Sequence, residues 1–140
     1  MIVDSSALVA IVLAEPGHQV LVDHLARASV VGVGAPTLAE TGIVLTARLG
    51  IVGRSLLARL LQEAGAETIP YTAAHWPIAI EAFTRYGKGR HPAALNFGDC
   101  LTYAACRLAG RPLLCTGDDF PQTDLDVVVP SERFPASPPH

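Results

Sequence analysis

Little in this sequence points to secretion or to a membrane. Three cysteines, Cys100, Cys106 and Cys115, are too few and too odd in number for a disulfide framework. Cys100 and Cys106 stand six apart on a helix-like stretch, which turns them to different faces, and no histidine lies close by. They fit zinc poorly and read as buried free thiols. No apolar run reaches the roughly 18 residues that a membrane span needs. The longest, Ala7 to Ala14, is broken by Glu15-Pro16-Gly17. Met1-Ile2-Val3-Asp4 places no cationic segment ahead of the apolar one, which argues against a signal peptide and for a cytoplasmic chain. Charge is also scarce: 16% of residues are charged and lysine occurs once, at Lys88. Ten Lys and Arg stand against 13 Asp and Glu, a net charge of -3, which taken alone argues against a nucleic-acid binder.

What is present is apolar. Half of the 140 residues are hydrophobic, which excludes a disordered chain and suffices for one core but not two. The expectation is a single domain over residues 1–130 with a frayed tail over 131–140. No internal repeat or long linker interrupts it. Strand-like and helix-like segments alternate. Met1-Ile2-Val3 reads as a buried strand. Ser5 and Ser6 offer an N-cap to a helix through Leu8 to Leu13, and Gly17 to Arg27 forms a second helix. Val30 to Val33 is a strand, followed by a helix from Pro36-Thr37 to about Leu49. Gly53 to Ala64 has helical period, with Leu56, Leu57, Leu60 and Leu61 on one face. Thr68-Ile69-Pro70 reads as an edge strand. A helix from Thr72 turns Trp76, Ile80 and Phe83 toward the core. Asn96 caps a helix ending near Ala109-Gly110, and strands follow at Pro112 to Cys115 and Val127 to Val129. This order predicts an α/β fold: a short, mostly parallel sheet of four to five strands with helices on both faces.

Four acids stand in apolar or strand-end contexts, where an ionised group is costly unless paired or bound to a cation. Asp4 follows the first strand and Asp118 the strand at Leu113-Leu114-Cys115. Glu40 shares a helical face with Ile43, Val44 and Ala47. Asp99 sits in the first turn of its helix, above Thr102, Tyr103 and Cys106. The C-terminal ends of parallel strands meet at one crevice, where ligands bind. Carboxylates gathered there raise one another's pKa or take up a cation, and oxygen-only ligands favour Mg²⁺ or Mn²⁺ over zinc. Each acid also has a plainer reading: Asp4 as an N-cap, Asp99 as a partner of its helix dipole, Asp118 as a turn residue beside Gly117, Glu40 as a partly exposed side chain.

Met1-Ile-Val-Asp4-Ser-Ser6-Ala7, Pro36-Thr-Leu-Ala-Glu40, Asn96-Phe-Gly-Asp99-Cys100-Leu-Thr-Tyr-Ala104 and Leu114-Cys-Thr116-Gly-Asp118-Asp-Phe120 resemble the motifs of PIN-domain ribonucleases. The match is best to the VapC toxins of VapBC toxin–antitoxin pairs, and it runs from Met1 to about Val129. The resemblance implies a PIN-like fold and Mg²⁺- or Mn²⁺-dependent RNA cleavage leaving a 5′-phosphate and a 3′-hydroxyl. It implies Asp4, Glu40, Asp99 and Asp118 as catalytic metal-holding acids, with Asp119 able to stand in for Asp118. Ser6 and Thr116 match polar positions lining the family's site. The resemblance further implies a homodimer inhibited by a small VapB-type antitoxin, the usual arrangement in the family.

Such an enzyme needs cations for its substrate, and here they cluster. Arg85, Lys88 and Arg90, with His91, have no acid between Phe83 and Leu95, and Gly87 and Gly89 flank Lys88. The expectation is a mobile phosphate-binding loop ahead of the Asp99 helix, with an ordinary solvated loop as the plainer alternative. Trp76 reads as core rather than as a base-stacking platform. Phosphoryl transfer through an aspartyl phosphate is disfavoured: Ser6 stands where a phosphatase of that kind wants a second Asp, and the single lysine lies away from a late strand end. A catalytically silent RNA-binding module on the same fold is the competing function.

Overall fold

In β1 (Ile2–Val3) and β4 (Leu113–Leu114), successive residues face opposite layers of core. Ile2 and Leu113 join Ala82, Tyr86, Tyr103 and Cys106 on one side of the sheet. Val3 and Leu114 join Leu8, Leu21, Leu45 and Leu57 on the other. Two-residue strands thus suffice to separate two helical layers, because side chains alternate across a strand. The computed structural model describes residues 1–128. The sheet is parallel throughout, in the order β3-β2-β1-β4, with β2 at Gly32–Gly34 and β3 at Glu67–Ile69. β3 is at an edge, as its proline predicts. Beyond β4 the chain makes a single parallel bridge, Leu113 to Val127. The described residues therefore hold four strands and no fifth; Val129 and the expected tail over 131–140 lie outside them.

The layer built on Val3 and Leu114 contains α1 (Ser5–Val12), α2 (His18–Arg27), α3 (Ala35–Leu49) and α4 (Val52–Ala64). The other contains α5 (His75–Tyr86) and α6 (Phe97–Ala109). No described helix is long and apolar enough to cross a membrane. The cap of α1 is Asp4 rather than Ser5 or Ser6: the carboxylate accepts the Ser6 amide. Such a cap contributes about 1 kcal/mol. All three cysteines are free and buried. Cys100 and Cys106 line the same core cluster despite their spacing, because α6 is buried on most of its circumference.

Two expectations about helix faces fail. Trp76, Ile80 and Phe83 form the exposed side of α5, with Trp76 57% exposed; His75, Ala82 and Tyr86 face inward instead. In α3 the buried residues are Thr37, Thr41 and Leu45, whereas Ile43 is 71% exposed. Glu40 therefore lies on an apolar face that is open rather than packed into the core. Helical spacing identifies a stripe, but it does not say which of two apolar stripes meets the sheet.

Candidate active site

The strand register brings the acids to one edge of the sheet. Val3 pairs with Leu114, so the residues following β1 and β4 emerge side by side, and the Asp4 amide donates to the Leu114 carbonyl at 2.9 Å. Asp4 is 4% exposed. One carboxylate oxygen accepts the Ser6 amide at 3.1 Å, and the other accepts the Thr102 hydroxyl at 2.9 Å. Thr102 shares a further 3.1 Å hydrogen bond with Thr37. The chain of hydroxyls ties α3 and α6 to the end of β1.

Asp99 is the third residue of α6 and half of a capping box. Its Oδ2 accepts the Asn96 amide at 3.0 Å, and Asn96 Oδ1 accepts the Asp99 amide at 2.9 Å. Burial pushes the Asp99 carboxyl up to about 6 from an ordinary 3.8. The Asn96 amide works against that rise, while the negative charges of Asp4, Asp119 and Glu40 add to it. Four acids from four separate stretches therefore act on one another here. Glu40, half-buried, lies against Gly98 in a cleft of about 380 Å³ that is also lined by Thr37, Ile43, Phe97 and Leu101.

Asp118 and Asp119 are exposed in the turn after Gly117. The charge of Asp119 acts on Asp99, and the Asp118 carbonyl accepts the Gln122 side chain at 2.9 Å. Ser6 and Thr116 are brought together: the Thr116 amide donates to Ser6 Oγ at 3.0 Å.

The cationic cluster divides. Arg85 belongs to the last turn of α5, not to the loop, and it is engaged by Asp124 at 3.4 Å and by Glu81 at 3.8 Å. Arg107 reaches the same Asp124 at 3.2 Å, and the Tyr103 hydroxyl donates to it at 2.7 Å. Lys88 and Arg90 remain exposed in a turn held by backbone bonds from Lys88 to Leu95 and from Arg90 to Gly87. Arg90 lies over the Phe83 ring, 5.4 Å from its centroid.

Every plain reading of the acids has something behind it: Asp4 and Asp99 do cap helices, and Glu40 is partly exposed. Caps do not explain the charge balance. The ion pairs among the described residues are Arg59–Glu63, Arg85–Glu81, Arg85–Asp124, Arg107–Asp124 and Arg111–Glu67, and none involves Asp4, Glu40, Asp99, Asp118 or Asp119. No three His, Cys, Asp or Glu side chains among the described residues are arranged to hold a metal ion as they stand. The chemistry of the donor set nevertheless fits a hard divalent cation: oxygen donors only, close enough to repel, without a cationic side chain to offset them.

Thr37, Thr102 and Gly98 were not singled out for function by the sequence. Each had a local signal: Thr37 follows the proline opening α3, Thr102 interrupts the buried side of α6, and Gly98 is a glycine inside a helix.

The sequence matches the PIN domain family model over residues 1–125. It is 54% identical over 127 residues to ribonuclease VapC36 of Mycobacterium tuberculosis, an alignment covering 90% of this chain and 91% of that protein. It is 39% identical to a ribonuclease VapC of Mycolicibacterium smegmatis, over 91% of this chain and 99% of the other. Among solved structures it is similar to Mycobacterium tuberculosis VapC20, described as a toxin cleaving the sarcin-ricin loop. The TM-score is 0.75 at 23% identity, covering 92% of this chain and 98% of that one.

Proposed function

Because the chain belongs to the PIN domain family, as a VapC ribonuclease of a toxin–antitoxin pair, we propose that its acid pocket is the RNA-cleaving centre and works with Mg²⁺ or Mn²⁺. Asp4, Glu40 and Asp99 hold the cation, with a fourth acid from Asp118 or Asp119. The observation that carries this reading is the gathering of acids where β1 and β4 end side by side, with Asp4 buried and tied to α6 through Thr102, and with no described ion pair to offset them.

A divalent cation bound there lowers the pKa of water and offsets negative charge on the scissile phosphodiester. The protein's part is to fix the donors beforehand. Asp4 is oriented from both sides, by the Ser6 amide and the Thr102 hydroxyl. Asp99 is held by the Asn96 amide. Ser6 and Thr116, joined by their own hydrogen bond beside Asp4, serve as phosphate contacts. Lys88 and Arg90 extend the site as phosphate contacts, whereas Arg85 contributes through its ties to Asp124 and Glu81. This local arrangement answers the objection of the net charge of -3: acids are concentrated at the cation site, and free cations lie on another turn.

The partners follow the same reading: RNA as substrate, a VapB-type antitoxin as inhibitor, a second copy of the chain as dimer partner, and the cytoplasm as the place of action. The exposed apolar residues Ile43, Ile51, Trp76, Ile80 and Phe97 supply surface for protein contacts.

The test is incubation of the purified chain with total cellular RNA, with Mg²⁺ and with a chelator, followed by mapping of the cut ends. Cleavage should require the metal, leave 5′-phosphates, and vanish in Asp4→Ala and Asp99→Asn proteins that still fold. Full cleavage by Asp99→Asn rejects the assignment.

A further inference from the structure

We infer that Gly98 is a positioning residue for Glu40: its missing side chain is what lets the Glu40 carboxylate lie against the first turn of α6, within reach of the Asp99 charge. The inference rests on the reading of Glu40 as part of the cation-holding set.

Gly98 is the second residue of α6. Glycine is a poor helix former, so a glycine there needs a reason. Conformation does not supply it. The glycines with left-handed φ are Gly17, Gly50, Gly65, Gly89, Gly110 and Gly117, and Gly98 is not among them. Space does supply it. A Cβ at Gly98 would overlap the Glu40 carboxylate, standing 3.0 Å from Cδ and 3.0 Å from Oε1, with Oε2 closer still. The three nearest atoms all belong to Glu40.

A Cβ at Gly32, in β2, would likewise meet a side chain, that of Ile69, but at Gly53 and Gly87 the crowding is different in kind. A methyl at Gly53 would meet the Leu45 carbonyl and one at Gly87 the Phe83 carbonyl. Those are backbone collisions, and the fold itself must yield. At Gly98 the obstacle is the end of a flexible side chain, which can swing away into the open cleft. The added methyl therefore leaves the fold in place and moves one carboxylate. Among the described residues no hydrogen bond fixes the Glu40 carboxylate in the way that Ser6 and Thr102 fix Asp4. The space left open at Gly98 is what admits it there.

The experiment compares Gly98→Ala, Glu40→Gln, Glu40→Asp and the double variants Gly98→Ala/Glu40→Asp and Gly98→Ala/Glu40→Ala. Four quantities are read: Mn²⁺ binding by calorimetry without RNA, kcat and KM for RNA cleavage, and melting temperature in chelator. Gly98→Ala should melt no lower than the parent. It should bind Mn²⁺ about tenfold more weakly, the usual scale for a disturbed ligand orientation. Its kcat should fall by about 100-fold, as for a misplacement of about 1 Å, with KM little changed. Shortening the acid by one methylene makes room for the methyl. Gly98→Ala/Glu40→Asp should therefore lose less than the two single losses combined.

Normal Mn²⁺ binding and kcat in Gly98→Ala, with Glu40→Gln impaired, overturns the inference and leaves the proposed function standing. Full activity in Glu40→Gln overturns the role of Glu40 and the inference with it. Strictly additive losses in Gly98→Ala/Glu40→Asp also overturn it. So does unfolding of Gly98→Ala that persists in Gly98→Ala/Glu40→Ala, since the methyl would then be meeting something other than Glu40.

Discussion

The Thr102 hydroxyl donates a 2.9 Å hydrogen bond to the Asp4 carboxylate, joining residues 98 positions apart. Asp4 has no described ion-pair partner, so this donor and the Ser6 amide carry much of the burden of keeping its charge where it is. Thr102→Val keeps the shape of the side chain and removes the hydroxyl. The change leaves an Asp4 oxygen and the Thr37 hydroxyl short of a partner. It should cost about 1–3 kcal/mol, the penalty of a buried unsatisfied group. Cleavage should slow as well, because Asp4 loses its orientation. Urea melts and single-turnover kinetics check both effects, and an unchanged protein in both would refute the role.

Asp99 gives the metal-free protein a pH dependence of known sign. Its folded carboxyl titrates at about 6 and its unfolded one near 3.8. Between those values the folded state binds the proton more tightly, so unfolding releases it. The stability contributed is full below about 4 and is lost as pH rises through about 6. Asp99→Asn removes this dependence. In chelator, the stability of Asp99→Asn relative to the parent should therefore grow between pH 4 and pH 7. Mg²⁺ should stabilise the parent and not the variant. A difference that stays flat across that range would show that the Asp99 carboxyl is not raised.

The two acids of the Gly117 turn should be unequal. The charge of Asp119 acts on the Asp99 carboxyl. Asp119→Asn should lower the Asp99 pKa and reduce cleavage more than Asp118→Asn. NMR titration of Asp99 in each variant, alongside rates, decides the order. The reverse ranking assigns the fourth position to Asp118.

Lys88 and Arg90 should act through phosphate alone. Changing both to Ala should weaken RNA binding and flatten its salt dependence by about 1.4 in the log–log slope, from about 0.7 for each single-strand phosphate contact. Arg85→Ala should leave that slope in place and instead loosen Asp124, whose charge Arg85 shares with Arg107. Binding measured across a salt series separates the two, and an unchanged slope for Lys88 and Arg90 removes their turn from the site.

The sheet was legible in the sequence because short apolar runs between helical stretches leave few alternatives to a parallel α/β arrangement. Its edge strand was marked by Pro70. The acids were legible because charge at a strand end or in the first turn of an apolar helix is costly. The faces of α3 and α5 were not: Ile43, Trp76, Ile80 and Phe83 obey helical period as well as any core residue, and exposure depends on which neighbour arrives. Arg85 was misplaced because a cation beside Gly87 reads as loop, whereas its real partner, Asp124, lies 39 residues away. Thr37, Thr102 and Gly98 each carry a local signal, but their roles come from contacts between distant elements, which those signals do not specify.

The pairing of β1 with β4 has a consequence in time. Ser6 leaves the ribosome 110 positions ahead of its partner Thr116. A nascent chain lacking β4 has no neighbour to close the pocket over Asp4. Closure of the acid pocket therefore waits on the synthesis of β4.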